Sequence, residues 1–511
     1  MNLYESCKTP IRVAYFGFAL IAVGFLIQNP NVNLFYTFKS TVVLFTGELF
    51  IRIGEIIVMN LPLIFMLSIV CKKANSGSPL VMALVGYFSF IVTTMLFANQ
   101  SLGSQAYTTG TGINSIFNLA NGTRLPLETG LLGSLLVAYI TRLSYIYSRN
   151  RGSYSIFALL NKDTTGIIIN FVLCFLAGIL VSYGYPILYQ YLQKAITYIG
   201  QDLMDPLRIG IYGVLDRVLS ILGLSNVIRY PFWFTSIGGS YTNTLTGQNV
   251  LGDVNIWTYV KDSITGYVGA GRFITPYYII NMFIIPGFYL GTLFSMTDNQ
   301  ERNGYILMFM VGIGLSIVAG NPLPVELIML FTSPGLLITY LIEVGGVFAV
   351  LVKLQAFLGF SATSQNTAVA MPGSFPDFII NIRNTRLLPS LGIIVIVGAA
   401  CLILSFLSTL IYYHVFAFDV VKTGSGDKLV SSVIKAAGGT DNIKSAGSGL
   451  YRLIIRVDDL EKVLIDDLQD IGARRISEIR DGICIEFGTS STIIAKRINE
   501  ALKGKHFKQN G

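Results

Sequence analysis

Charged residues are scarce in this sequence. Only 13% of its 511 residues are charged, whereas 52% are hydrophobic. A soluble protein of this length carries roughly 25% charged residues to cover its surface. The mean hydropathy of +0.62 agrees with this deficit. Water therefore cannot be the solvent for most of the chain, and a membrane-embedded protein is expected.

Cysteine and histidine are also rare. The five cysteines, at positions 7, 71, 174, 401 and 484, have no paired spacing and lie in apolar or cytosol-facing segments. This pattern indicates a reduced compartment rather than a disulfide scaffold. The two histidines, His414 and His506, are not accompanied by a Cys or Asp cluster with the spacing of metal ligands. Neither a metal nor another cofactor is expected.

Basic residues outnumber acidic residues, and the net charge is +8. In a soluble protein such an excess suggests nucleic-acid binding. In a membrane protein, Lys and Arg instead concentrate in cytoplasmic loops and contact anionic lipid. The lipid bilayer is therefore the expected partner of this charge, and nucleic acid is not.

Apolar runs long enough to cross a bilayer as a helix, about 20 residues, recur along the first four fifths of the chain. Eight spans are expected at 11–28, 52–70, 80–98, 128–147, 166–188, 276–296, 304–320 and 389–413. The stretch 322–357 is long enough for two more elements, broken near Pro334 or Gly345. The segments 34–50 and 190–222 mix charge with apolar residues at helical spacing, which is typical of interfacial or packed helices. The sequence thus predicts about ten transmembrane helices.

Basic residues near the spans predict the orientation of the chain. Lys8 and Arg12 precede the first span, and Lys422 and Lys428 follow the last one. Lys and Arg stay on the cytoplasmic side of a membrane. We therefore expect an even number of crossings, with both termini in the cytoplasm. The polar and nearly uncharged loop 99–127 is expected on the far side.

Two polar stretches, 225–273 and 358–388, are too polar to span the membrane and too long for tight turns. In transporters, non-helical backbone at membrane depth is tolerated where it lines a cavity. Both stretches are therefore candidates for a substrate site. The alternative is that they are simple external loops.

The composition changes at about residue 415. Lys422–Lys428 reads as a Gly/Ser linker, and the expected domains are a membrane domain 1–415, a linker 416–428 and a soluble domain 429–505. Short helices are predicted at 429–437, 459–470 and 490–503, with strands at 450–457 and 483–487. Alternating short strands and helices predict a small α/β sandwich.

Specific motifs lie in both parts of the chain. The soluble part contains GGTDNIKSAGSGLYRL from Gly438 and IEFGT from Ile485. The membrane part contains NLPLIF from Asn60, ETG from Glu128, YG–DR–GLSN–P between Tyr212 and Pro231, P–MF–P between Pro276 and Pro286, GNPLPVE from Gly320, and Gly373 with Asp377–Phe378. In order and spacing these motifs resemble the IIB and IIC domains of bacterial phosphotransferase-system (PTS) sugar permeases of the glucose–maltose–N-acetylglucosamine family.

The resemblance implies a polytopic α-helical membrane protein of the PTS IIC type, with re-entrant hairpins, followed by a IIB-like α/β domain. A member of this family is a homodimer in the bacterial cytoplasmic membrane. It carries a sugar across by an elevator-like movement and phosphorylates it, with IIA or separate IIB proteins as partners. One half of the permease forms the dimer interface, and the other half carries the sugar.

The resemblance breaks at the phosphoryl-transfer residues. The phosphorylated cysteine of the IIB domain aligns with Gly449, and only Arg452 of the neighbouring motif is retained. Phosphoryl transfer needs a thiolate nucleophile, which glycine cannot supply. Cys484 lies on the predicted strand before FGT and is expected to be a structural residue. No catalytic residue is therefore expected, and phosphorylation is either supplied in trans or lost.

The implied sugar site is altered too. The paired histidines of the family align with Ser225 and Asn226, and the first glutamate of its GITEPIE motif aligns with Leu323. Glu326 is retained in an apolar neighbourhood, which favours a site role, with a helix cap as the alternative. The expected substrate-binding residues are Asn60, Ser225, Asn226, Arg229, Arg272, Asn321 and Glu326.

Several roles stay open for other residues. Arg229 and Arg272 could bind an anionic group, pair with Glu326, or extend to lipid headgroups. Tyr241, Asn243 and Trp257 could stack on or hydrogen-bond a sugar, although polar transporter loops commonly contain such residues. A substituted site would select a different set of hydroxyls. The expected function is thus a PTS-type sugar permease. The alternatives are an uncoupled facilitator for another solute and a non-transporting sensor or regulator.

Overall fold

The fold is known from a computed structural model that describes most of the chain. The described residues are 3–28, 41–71, 77–99, 102–103, 106–107, 124–150, 162–243, 246–260, 269–296, 299–361, 370–382, 384–422, 425–449, 451–471, 473, 475–487 and 491–509. The predicted loop 99–127 and part of the segment 34–50 lie largely outside these residues.

The described part of the chain is mostly helical. Its helices are α1 (Leu3–Gln28), α2 (Thr41–Met59), α3 (Leu61–Cys71), α4 (Ser78–Phe97), α5 (Gly130–Asn150), α6 (Lys162–Gly200), α7 (Pro206–Ile221), α8 (Ser225–Phe234), α9 (Asp253–Val260), α10 (Thr275–Ile279), α11 (Ile285–Ser295), α12 (Asn299–Ala319), α13 (Leu323–Thr332), α14 (Pro334–Lys353), α15 (Phe375–Ile382), α16 (Leu388–Lys422), α17 (Ser425–Ala436), α18 (Ile465–Asp470) and α19 (Ser491–Gln509). The strands are β1 (Ser240–Thr242), β2 (Asn249–Leu251), β3 (Ile443–Ser448), β4 (Arg452–Val457), β5 (Ile476–Ile479) and β6 (Gly482–Glu486).

Seven stretches of helix in the described residues are long and apolar enough to cross a membrane. The pair α2 and α3, bent by 55°, adds an eighth if it forms one broken span. The predicted span 304–320 corresponds to a shorter apolar helix, Ile306–Ala319. The stretch 322–357 is broken at Ser333, next to Pro334, because α14 begins at that proline. An α-helical membrane protein is thus confirmed, while a total of ten crossings stays a prediction.

The chain divides into two compact units. The first comprises Met1–Asn281, Leu315–Phe331 and Leu341–Val397, and the second comprises Met282–Gly314, Thr332–Tyr340 and Gly398–Gly511. Both contain stretches of the apolar candidate spans, and the second also contains the small sheet.

Glycines let the helices of the first unit approach closely. On α1, a Cβ added to Gly24 would lie 2.6 Å from the Gly47 carbonyl oxygen, and Gly54 on α2 meets the Gly17 carbonyl oxygen at the same distance. On α7, a Cβ at Gly213 would lie 2.3 Å from the ring of Phe348 on α14. Small residues at such crossings are what membrane helices use to pack, since lipid supplies no hydrophobic drive between them.

Buried hydrogen bonds hold the extended segment after α14 in the first unit. The Tyr278 hydroxyl donates to Asp377, and the Ser361 amide donates to the other oxygen of that carboxyl group, at 2.6 and 2.8 Å. The Trp257 indole N–H donates to the Phe360 carbonyl oxygen at 2.9 Å. Side chains thus satisfy the Ser361 amide and the Phe360 carbonyl oxygen of this non-helical segment, as buried backbone groups require.

The second unit packs α11 against α16. A Cβ on Gly287 would lie 2.6 Å from the Leu402 carbonyl oxygen, and one on Gly291 would lie 2.7 Å from Thr409. The Ser405 hydroxyl donates to the Ile284 carbonyl oxygen at 2.9 Å.

The sheet near the C-terminal end of the second unit has four antiparallel strands in the order β3-β4-β6-β5. Its core contains Val433 of α17, Leu453 and Ile455 of β4, Ile485 of β6 and Ile498 of α19. A small sheet with helices is therefore confirmed. The predicted linker 416–428 is largely helical, because α16 continues to Lys422 and α17 begins at Ser425.

Candidate functional site

Four helices begin around one cavity of the first unit. They are α3, α5, α8 and α13, and the residues at or beside their first turns that line the cavity are Asn60, Gly130, Ser225, Asn226, Asn321 and Leu323. The first backbone N–H groups of a helix have no partner within the helix. Here the Leu131 and Leu323 amides are already paired, the first with the Leu222 carbonyl oxygen and the second with the Asn321 side chain.

Backbone geometry fixes the start of α5 against the break between α7 and α8. Gly130 and Gly223 both have positive φ, +50° and +76°, a conformation that glycine adopts without strain. The Leu131 amide donates to the Leu222 carbonyl oxygen at 2.8 Å. A Cβ at Gly130 would lie 2.2 Å from that same oxygen, so no other residue fits there.

The start of α13 is formed by Gly320 and Asn321. Gly320 has φ +60° and ends α12. The Asn321 side-chain oxygen accepts a hydrogen bond from the Leu323 amide at 2.9 Å. This contact resembles an N-cap, which satisfies one free amide of the first turn. Asn321 therefore defines the shape of the cavity wall as well as lining it.

The cavity has a volume of about 490 Å³, within the usual range for small-molecule sites. Its polar lining comprises Asn60, Glu128, Thr129, Arg217, Ser220, Ser225, Asn226, Arg229 and Asn321, and its aromatic lining comprises Phe18, Tyr87, Trp233 and Tyr277. Amides and hydroxyls beside aromatic rings suit a small polar molecule.

A buried carboxylate organises the two arginines. Asp216, which is 0% exposed, accepts from Arg229 at 2.6 Å and from Arg217 at 2.8 Å. The Tyr277 hydroxyl donates to the same carboxylate at 2.7 Å. The Ser220 hydroxyl oxygen accepts from both guanidinium groups, at 3.1 and 3.0 Å. Paired and hydrogen-bonded charges are the tolerated form at such burial.

Glu326 belongs to the same cluster. Its carboxylate accepts from Arg217 at 3.3 Å, and the two side chains are 0% and 3% exposed. The sequence left Glu326 as one possible partner of Arg229, but Arg229 pairs with Asp216. Glu326 is thus connected to the cavity wall through Arg217, which lines the cavity.

Aromatic rings pack against the arginines. The guanidinium of Arg217 lies 5.1 Å from the centre of the Tyr277 ring, and that of Arg229 lies 5.4 Å from the rings of both Tyr277 and Trp233. The Trp233 indole N–H donates to the Tyr212 hydroxyl at 3.1 Å. Such cation–π contacts hold both ion and ring in place.

Five of the seven predicted substrate-binding residues line this cavity: Asn60, Ser225, Asn226, Arg229 and Asn321. Arg272 does not line it. The Arg272 guanidinium donates to the carbonyl oxygens of Gly269 and Leu203 at 2.6 Å and lies 3.7 Å from Asp253. Through these contacts Arg272 links two backbone segments, which is a structural role.

Three further residues that were considered for sugar contact lie outside this cavity. Trp257 is buried and its indole is bonded to backbone. Tyr241 packs against Tyr259 with ring centres 5.9 Å apart, and Asn243 donates to the Tyr259 hydroxyl at 2.7 Å.

The phosphocysteine position of the implied IIB domain lies at a hairpin turn. Gly449 follows β3 and is buried, and its amide donates to the Arg452 carbonyl oxygen at 2.9 Å. The Arg452 side chain lies 3.8 Å from Glu486, its cross-strand neighbour. The turn thus presents backbone and no nucleophilic side chain at Gly449.

Sequence reasoning did not select Asp216, Arg217, Trp233 or Tyr277 as site residues. The adjacent charges of Asp216 and Arg217 in a largely apolar helix were an available signal, because such charges in a membrane protein face partners or cavities. The two aromatic residues gave no such signal.

A comparison of the chain with models of known protein families finds no match.

Proposed function

We propose that this chain is a PTS-type membrane sugar transporter of the glucose, maltose or N-acetylglucosamine class. It would work as a homodimer in the bacterial cytoplasmic membrane, with both termini in the cytoplasm, and move its sugar by an elevator-like movement of the carrier. Its phosphoryl group comes from another protein or is not used.

One observation carries this proposal. Asn60, Ser225, Asn226 and Asn321 are far apart in the sequence, and each lies in a motif that resembles the sugar permeases. All four line a single cavity of about 490 Å³. Their amide and hydroxyl groups can both donate and accept, as the hydroxyls of a sugar do.

The charges beside the cavity favour a neutral solute. The two arginines, Arg217 and Arg229, are engaged by the carboxylates Asp216 and Glu326. Glu128 also lines the cavity. The formal charges of these five residues sum to one negative charge, so an anion gains no net attraction from them.

The second candidate function is uncoupled facilitated transport of another solute, and the lack of coupling is favoured by Gly449. The hairpin turn of the IIB-like domain holds a glycine amide where the family's reaction needs a thiolate. A sugar moved by this chain would then cross the membrane unmodified unless a separate IIB protein serves it.

Ligand titration of the purified full-length chain tests the proposal. Isothermal calorimetry with glucose, maltose and N-acetylglucosamine should detect binding of at least one sugar and no binding of an anionic sugar phosphate. Asn226→Ala should weaken that binding. Preferential binding of the sugar phosphate, or no binding of any of the three sugars, would contradict the proposal. Sugar binding in this titration, without sugar uptake into proteoliposomes, would favour the sensor alternative.

A further inference from the structure

A second cavity lies in the first unit beside the β1–β2 hairpin. Its volume is about 850 Å³, again within the range of small-molecule sites. Its lining comprises residues of α8, β2 and α9 together with Gln248, Ile274, Phe360 and Pro372. The proposed function described above makes no use of this cavity.

The hairpin is held in place over α9. Tyr241 pairs with Val250 across the two strands, and the Gly252 amide donates to the Gly239 carbonyl oxygen at 2.9 Å. The Asn243 side-chain amide donates to the Tyr259 hydroxyl at 2.7 Å. The wall formed by this hairpin is therefore fixed by hydrogen bonds to the helix behind it.

The lining of the second cavity combines apolar and polar side chains and contains no Asp, Glu, Lys or Arg among the described residues that form it. Three side-chain amides, Gln248, Asn249 and Asn255, contribute to it, and all three are exposed. Trp233 and Tyr259 supply aromatic faces. Amides that donate and accept beside flat aromatic rings bind uncharged polyhydroxylated rings by hydrogen bonding and stacking.

The two cavities adjoin, since Trp233 and Pro372 line both of them. The Trp233 indole is anchored through its N–H to Tyr212 and stacks beside the Arg229 guanidinium. Trp233 is therefore a fixed aromatic side chain shared by the cavity of the proposed sugar site and the second cavity.

We propose that the second cavity is a further binding subsite for a neutral carbohydrate ring, with Trp233 as the wall shared by the two rings. The inference rests on the proposed sugar-binding function of the first cavity. The ring in the second subsite comes from one of two sources: the second unit of an oligosaccharide that spans both cavities, or a separate sugar molecule.

Calorimetric titration of the full-length chain with glucose and with maltose separates these sources. The test variant is Gln248→Ala combined with Asn255→Ala, and the control is Gln201→Ala, an exposed amide outside both linings. All three positions are exposed, and the hydrogen bonds lost from Asn255 to the Leu251 carbonyl oxygen and from Arg208 to Gln201 are exposed too, so little change in Tm is expected. If an oligosaccharide spans both cavities, maltose affinity falls about tenfold in the test variant and glucose affinity stays within about twofold.

If separate sugar molecules bind, glucose occupies two sites per chain in the wild type and one in the test variant. Either result supports the second subsite. Sugar binding that is identical in wild type, test variant and control would overturn the subsite while leaving the first cavity as the sugar site. Absence of binding of both sugars to every protein, wild type included, would overturn this inference, and absence of N-acetylglucosamine binding as well would overturn the proposed function.

Discussion

Asp216 is the residue on which the charge arrangement of the candidate site depends. Its carboxylate accepts hydrogen bonds from two arginines and from Tyr277 without exposure to solvent. A buried ion cluster of this kind adds little stability relative to well-packed apolar residues, but removal of one member leaves the others uncompensated. The cluster therefore fixes the positions of Arg217 and Arg229 more than it stabilises the fold.

Asp216→Asn is predicted to destabilise the protein by about 3–5 kcal/mol, because it leaves Arg229 without its main buried counter-charge. Thermal unfolding in detergent measures the effect. The control is Asp202→Asn, an exposed position that should change stability by less than about 0.5 kcal/mol. Equal Tm values for the two variants would show that loss of the Asp216 charge does not destabilise the protein.

Asn226→Ala is predicted to weaken sugar binding about tenfold without lowering Tm. The residue lines the cavity and is exposed within it, so its loss removes hydrogen bonds to the solute and not to the protein core. Calorimetry on the variant and on Gln201→Ala makes the comparison. An unchanged sugar affinity in Asn226→Ala would remove this residue from the site.

At this scale the sequence allowed a partial prediction of the site. The order of the motifs predicted Asn60, Ser225 and Asn321 as site residues, and all three line one cavity. Arg272 was selected for its rarity at that depth, yet backbone carbonyls bind it. A charged side chain alone does not reveal whether its partner is solute or backbone, since that depends on contacts distant in sequence.

At the scale of elements, the candidate site depends on where helices stop. Glycines with positive φ, Gly130, Gly223 and Gly320, stand at these ends. Their positive φ lets the backbone turn sharply where one helix ends, so that the next helix begins beside the cavity. Discontinuous helices with their ends at a binding site are a recurrent device of transporters.

Gly213→Ala is predicted to cost about 1–3 kcal/mol of stability, because the new methyl group would lie 2.3 Å from the Phe348 ring between α7 and α14. Gly346→Ala, on α14 itself, is the matched control, since a Cβ there meets nothing within 4 Å. Thermal unfolding of both variants tests the contact. A loss of stability in the control as large as in Gly213→Ala would mean that α14 tolerates no alanine for another reason.

Elements with strong hydrophobic periodicity were predictable, and short ones were not. The strand predicted at 450–457 and the helix predicted at 490–503 correspond to β4 and α19. β3 was missed, because its sequence IKSAGS contains small and polar residues with weak strand preference. The segment 416–428 was predicted to be a linker because of the Gly/Ser residues in 422–428, yet α16 continues to Lys422 and α17 begins at Ser425.

At the scale of the whole molecule, the proposed loss of phosphoryl transfer in the C-terminal sheet domain makes a prediction separate from the proposed transport. The full-length chain, incubated with phosphoenolpyruvate and the general PTS proteins, should form no stable phosphoprotein, because Gly449 has no nucleophilic side chain. Labelled phosphate and mass spectrometry provide the measurement, with a PTS permease that retains its cysteine as the positive control. A phosphorylated residue in 429–511 would contradict the assignment of Gly449 to the phosphocysteine position.

The central claim is that this chain carries a neutral sugar through a cavity lined by Asn60, Ser225, Asn226 and Asn321. The most direct measurement is uptake of radiolabelled glucose, maltose and N-acetylglucosamine into proteoliposomes, without phosphoenolpyruvate and then with it and the general PTS proteins. The account predicts uptake of at least one sugar above protein-free vesicles, reduced about tenfold at subsaturating sugar by Asn226→Ala. Uptake of none of the three sugars under either condition would contradict it.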